Sequence, residues 1–154
     1  MPDAPAPKTS LTVDGFVCPV PIQRHEVVVV GHGSGGRLSR DLLNRLFLPG
    51  LASAAPRVLD DSATLDVNGV RLALSTDSHV VSPLFFPGGD IGRLAICGTV
   101  NDLAMVGATP LALTSGFVLE EGMPLEELER VVRSMHSAAE EAGVYIAAGD
   151  TKVV

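Results

Sequence analysis

The chain has 154 residues, 46% of them hydrophobic, and a net charge of −7; that is enough for one domain burying about 68–70% of its unfolded surface. The acidic balance argues against general nucleic-acid or anionic-membrane binding, but not against a nucleotide whose phosphates are met by a metal and backbone amides. Two cysteines, Cys18 and Cys97, are too few for a disulfide framework, and with no secretory signal and no bilayer-length apolar run they read as reduced thiols of a cytoplasmic protein.

Residues 1–26 open on a Pro- and Ala-rich stretch without periodicity and are expected to form a flexible tail, with Leu11 to Glu26 leaving room for one short strand. The ordered domain is expected over residues 27–154. Val27 to Val30 is a β-branched run ending in Gly31, which predicts a buried strand. The glycine-rich stretch Gly31-His32-Gly33-Ser34-Gly35-Gly36 follows. Leu38, Leu42, Leu43, Leu46 and Phe47 then fall at helical spacing, so an amphipathic helix is predicted over Arg37 to Phe47, stopped by Pro49-Gly50.

A hairpin is predicted next. Ala63 to Val67 and Val70 to Thr76 alternate apolar and polar residues about Asn68-Gly69, a pair that supplies the positive φ values of a type I′ turn. Pro83 to Gly89 reads as a loop, with Asp90 as cap of a helix over about Ile91 to Gly107. Leu111 to Leu119 reads as a strand. Leu125, Leu128, Val131, Val132, Met135, Ala138, Ala139 and Ala142 mark a long helix, with Pro124 at its start, Glu126 and Glu127 in its first turn and Gly143 just past its end. Val144 to Ala148 is the last predicted strand. The order is roughly β-α-β-β-α-β-α-β, an α+β or α/β arrangement of helices on one sheet.

The chemistry lies in four aspartates at or within apolar segments. Asp61 ends Val58 to Asp61, Asp77 ends Leu72 to Asp77, Asp150 ends Tyr145 to Asp150, and Asp102 lies within the apolar helix. Two carboxylates about 5 Å apart repel by roughly 3 kcal/mol at an effective dielectric of about 20. A hard divalent cation such as Mg²⁺ turns that repulsion into a site, with waters and phosphate oxygens completing its shell. Lys152, two residues after Asp150, lies on the same strand face and reaches toward a phosphate. Asn101 is polar within an apolar helix, which favours a polar task. Each of these has a plainer reading: turn former for a single Asp, exposed cation for Lys152.

The glycine stretch formally satisfies G-x-G-x-x-G through Gly31, Gly33 and Gly36, so an NAD(P)-binding Rossmann module competes. Against it, the following elements form a hairpin where a Rossmann half needs a parallel crossover. No G-K-[ST] is present, so this is not a Walker A loop. Cys97 reads as core packing, His79 as a surface residue, and Phe85-Phe86 as core or interface.

Five segments together resemble the HypE family of hydrogenase expression/formation proteins: Gly31 to Arg37, Ser75-Thr76-Asp77-Ser78, Phe85 to Gly92, Gly98-Thr99-Val100-Asn101-Asp102-Leu103-Ala104 and Gly149-Asp150-Thr151-Lys152-Val153-Val154. More distantly, the Asn-Asp helix and Gly-Asp-Thr turn are similar to those of aminoimidazole ribonucleotide synthetase, selenophosphate synthetase and thiamine-monophosphate kinase. The resemblance covers about residues 29–154. It implies an α+β fold, a mixed or antiparallel sheet of about four to five strands covered by helices on one face, and a homodimer whose sheets pair into a barrel. It implies ATP and Mg²⁺ as cofactors. By residue, it makes Asp61, Asp77, Asp102 and Asp150 magnesium ligands and sets Lys152 and Asp150 at the transferred phosphate. It places Gly33, Ser34, Gly35, Gly36, Asn101 and Thr151 at the nucleotide.

The implied activity is ATP-dependent dehydration of a carbamoyl group on a C-terminal cysteine, giving a thiocyanate that supplies the cyanide ligands of the iron in nickel-iron hydrogenase. The implied partners are a carbamoyltransferase like HypF and an iron-scaffold complex like HypC-HypD. The expectation for this chain is the ATP-binding and dimerising half, without the family's second domain or terminal cysteine. It is therefore expected not to complete the dehydration alone, or else to serve as a non-catalytic dimerisation module.

Overall fold

The computed structural model describes residues 27–51 and 60–154. The expected tail over residues 1–26, Cys18, and Val58-Leu59 lie outside the described residues. The chain divides into two units, Met1–Pro56 and Arg57–Val154.

In the first unit the β-branched run does not form a strand. Val30–Gly33 is instead a 3-10 turn, closed by the His32 backbone N–H donating to the Val29 carbonyl at 2.9 Å. The Val29 N–H donates in turn to Nδ1 of His32 at 3.0 Å. β-branched residues favour a strand only where a partner offers a pleated surface to pack on, and here the local turn wins. Helix α1 follows over Arg37–Leu42, passes through a π-type turn at Leu43–Phe47 and continues as α2 over Leu48–Leu51. Pro49-Gly50 therefore does not stop the helix. The wider turn lets the Leu48 N–H bond the Leu43 carbonyl, so the register has already shifted where Pro49 has no N–H to give.

The second unit opens with the hairpin β1 (Ala63–Val67) and β2 (Val70–Leu74). Asn68 and Gly69 have φ of 54° and 83°, the left-handed pair a type I′ turn requires. The register sets Ala63 against Leu74, Leu65 against Leu72 and Val67 against Val70, so one face is wholly apolar. That face is exposed.

The expected loop at 83–89 carries a small hairpin, β3 (Phe85–Phe86) with β4 (Gly89–Asp90). Asp90 caps α3 (Ile91–Met105), its Oδ1 accepting from the N–H groups of Gly92 and Arg93 at 2.8 and 3.1 Å. Its Oδ2 accepts from Ser134 Oγ at 2.6 Å, tying the start of α3 to α4 (Leu125–Ala142). The two helices cross closely at Gly92, where a Cβ would sit 2.5 Å from the Val131 carbonyl oxygen. Gly143, with φ of 69°, ends α4 as the sequence predicts.

Strand β5 (Ala112–Leu119) pairs in parallel with β6 (Tyr145–Val153), α4 forming the crossover. β6 is longer than expected and runs straight through Gly149-Asp150-Thr151, which is extended strand and not a turn. Leu113 pairs with Ile146 but Thr114 with Ala148, so Ala147 is an extra residue. Such a bulge switches which face the following residues present. The core lies between α3, α4 and this pair of strands: Ile96, Leu113, Val131, Met135, Ala138, Ala139 and Val144, with Phe85 and Phe117 packed against it. Cys97 is half-buried, and Arg130 lies 3.8 Å above the Phe85 ring centroid.

The fold is thus mixed α+β with small sheets. The described strands pair as three two-stranded ladders, β1-β2, β3-β4 and β5-β6.

Candidate functional site

Within the second unit Asp77, Asp102 and the backbone of Asp61 lie along one face of α3. Gly98 and Asp102 lie four residues apart, hence on the same side of the helix. The segment after β2 runs along that side. Ser75 Oγ donates to Asp102 Oδ2 at 2.9 Å and also lies 3.1 Å from the backbone carbonyl of Asp61. Its single proton serves two acceptors. Ser62, buried, donates from Oγ to the Asp102 carbonyl at 2.8 Å. Two serines therefore tie the loop before β1 and the end of β2 to α3.

Asp77 follows two residues on. Its Oδ1 accepts from the Ser78 N–H at 2.8 Å, and its Oδ2 lies 3.0 Å from Nε2 of His79. The His79 side chain is only 14% exposed. It lies on Gly98, where a Cβ would come within 2.6 Å of Nε2. The sequence reading of His79 as a surface residue is corrected: the bare glycine on α3 makes room for it.

Asp150 and Lys152 form a third group on β6. They share a strand face, as the two-residue spacing predicts, and their side chains pair, Lys152 Nζ donating to Asp150 Oδ2. Both are largely exposed, at 72% and 66%. Asp150 and Thr151 line a groove of 920 Å³ with Phe117, Met135, Ala139 and Tyr145 among its walls. Asn101 is exposed on α3.

Among the described residues, no three His, Cys, Asp or Glu side chains come close enough to hold a metal ion by themselves. Asp61, Asp77, Asp102 and Asp150 are thus not a preassembled cage. Three of them have local partners instead: His79 for Asp77, Ser75 for Asp102 and Lys152 for Asp150. The donor chemistry still suits magnesium, which is usually held by one or two carboxylates with waters and the phosphates of a substrate, not by an all-protein cage.

The glycine loop belongs to the first unit. Ser34 Oγ donates to the Gly31 carbonyl at 2.9 Å, and the Gly35 N–H donates to Ser39 Oγ at 2.9 Å. Gly33, Ser34, Gly35 and Gly36 are exposed. Gly36 caps α1, and no strand precedes the loop among the described residues. The Rossmann alternative needs that strand and loses its footing.

An ion pair elsewhere in the second unit links α3 to α4. Arg93 on α3 donates to both oxygens of Glu141 on α4, at 2.8 and 3.0 Å. These hydrogen bonds, reinforced by the opposite charges, lower the Glu141 carboxyl and raise the Arg93 guanidinium relative to their ordinary values.

The chain is similar to known proteins over most of its length. A protein of Cupriavidus necator named carbamoyl dehydratase HypE is 53% identical over 126 residues, covering 81% of this chain and 36% of that relative. A solved HypE–HypF complex superposes with a TM-score of 0.66 at 53% identity, over 73% of this chain and 36% of that one. A HypE solved with ATP superposes at 0.54 with 55% identity, over 83% and 38%. The chain thus spans little more than a third of these relatives. Residues 59–154 match the family described as AIR synthase related protein, N-terminal domain, and they carry the hairpin, the acidic loop on α3 and the β5-β6 pair. On that match the chain belongs to the AIR synthase related proteins, through their N-terminal domain.

Proposed function

We propose that this chain carries the ATP- and magnesium-binding part of a carbamoyl dehydratase of hydrogenase maturation. The observation that supports this most is identity above 50% to proteins named carbamoyl dehydratase HypE, one of whose kind is solved with ATP. The acidic loop beside α3 and the Asp150–Lys152 pair supply suitable groups. In this reading Asp61, Asp77, Asp102 and Asp150 provide the carboxylates for Mg²⁺, which when bound neutralises phosphate charge. Lys152, with Asp150, addresses the transferred phosphoryl group. Gly33, Ser34, Gly35 and Gly36 of the first unit, and Asn101 and Thr151 of the second, are assigned nucleotide contacts.

The reaction is a dehydration driven by phosphoryl transfer. The oxygen of an S-carboxamide attacks the γ-phosphorus of ATP, and ADP leaves. Phosphate then departs from carbon as the nitrogen loses its protons, leaving S–C≡N. Amide oxygen is a poor leaving group and phosphate a good one, so the protein's task is positioning and charge neutralisation. The proposed partners are a HypF-like carbamoyltransferase, supported by the HypE–HypF structure, and a HypC-HypD-like scaffold. A homodimer joined through its sheets into a barrel, each contributing four to five strands, is proposed for the same cytoplasmic protein. It is supported by the exposed apolar face of β1-β2.

Calorimetry with ATP and Mg²⁺, with NAD as control, tests the reading. Heat is expected with ATP–Mg²⁺ alone, and Asp77→Asn is expected to weaken it. Heat with NAD alone overturns the reading. If neither ligand gives heat and Asp77→Asn and Asp150→Asn alter only stability, the segment is an interface module.

A further inference from the structure

We infer that Ser75 and His79 are positioning residues that hold the Asp77 carboxylate in place against α3, and that Gly98 is the seat this arrangement requires. The inference rests on the ATP–Mg²⁺ reading above and goes beyond its ligand set.

Ser75 and His79 are spaced four residues apart, and their seats on α3, Asp102 and Gly98, are also four apart. The segment therefore lies along the helix and is anchored at both ends. At one end Ser75 Oγ donates to Asp102 Oδ2. At the other, the largely buried His79 ring rests where Gly98 has no side chain. Asp77 lies midway. The ring nitrogen of His79 meets its Oδ2 at 3.0 Å, and the Ser78 N–H engages its Oδ1 at 2.8 Å. Each oxygen has one neighbouring polar group and keeps lone pairs for a cation. An aspartate on an exposed loop otherwise samples several rotamers, and fixing it in advance removes that cost from ligand binding. Neighbours that orient a ligating carboxylate typically contribute about 10–100-fold to metal affinity.

The test measures two quantities on the full 154-residue chain: the Mg²⁺ concentration that half-saturates ATP uptake, and the affinity for ATP in EDTA. His79→Ala and Ser75→Ala are each expected to raise the half-saturating Mg²⁺ about tenfold while leaving the EDTA value unchanged. Ser75→Thr, which keeps the hydroxyl, is expected to restore the parent value. Gly98→Ala is expected to behave as His79→Ala, and combining the two to give no further loss, since both act on one contact. A purely structural role would lower both affinities together with the melting temperature, and that result overturns the inference. So does an unchanged Mg²⁺ requirement in His79→Ala and Ser75→Ala while the parent binds ATP–Mg²⁺. A parent chain that takes up no ATP–Mg²⁺ instead overturns the underlying reading, and the inference with it.

Discussion

Arg93 and Glu141 show how a single contact carries a pH signature. The carboxyl of Glu141 is lowered by the Arg93 hydrogen bonds, so the folded state binds that proton less readily than the unfolded chain. Its contribution to stability is present above the ordinary carboxylate range and is lost as pH falls through the folded-state value. Glu141→Gln is therefore expected to melt below the parent at neutral pH, with the gap closing on acidification. Melting curves of both proteins across the carboxylate range check this; a gap that widens in acid contradicts it. Both side chains are exposed, so the effect is small. At this scale the sequence was partly readable. Asp90 as helix cap and the shared strand face of Asp150 and Lys152 follow from spacing alone. Ser62 and Ser75 were missed because their partner Asp102 lies far along the chain, and the burial of His79 because its seat, Gly98, does too. The available signal was the pair Gly98 and Asp102, one small and one acidic residue on the same face of an apolar helix.

Helices α3 and α4 and the strands around them depend on close backbone approach. At Gly92 any side chain meets the Val131 carbonyl at 2.5 Å, a backbone atom that cannot swing aside. Gly92→Ala is expected to destabilise the second unit by about 1–3 kcal/mol, as overpacking does. Urea unfolding should show a lowered midpoint, and an unchanged midpoint refutes the packing argument. Elements set by local chemistry were legible: Asn68-Gly69 dictates its own turn, and α4 shows its apolar stripe and closing glycine. Elements decided elsewhere were not. Val27 to Val30 has strand propensity but finds no strand partner among the described residues, and the chain turns at Val30. The helix before Pro49 escapes its stop by widening a turn. β6 extends past Ala148 because Ser115, Gly116 and Phe117 offer partners to Gly149, Asp150 and Thr151, and its bulge at Ala147 left no mark in the residue pattern.

For the whole molecule the question is what covers its exposed apolar faces. Leu65, Val67, Val70 and Leu72 on the hairpin are all exposed, a patch that commonly marks an interface. The proposed homodimer would cover it. Sedimentation velocity is expected to give twice the chain mass, reduced to the single-chain value by Leu72→Lys; a parent that sediments as one chain at all concentrations removes the dimer. The parallel ladder of β5 and β6 has a different consequence, one for biosynthesis. Ala112 finds its mate at Tyr145, on the far side of a complete helix. A ribosome needs on the order of a few seconds to make the intervening stretch. Throughout that interval β5 is a naked ribbon edge, open to annealing with a neighbour. Nascent chains halted inside α4 should therefore cling to holdase chaperones, and those released beyond Val153 should not.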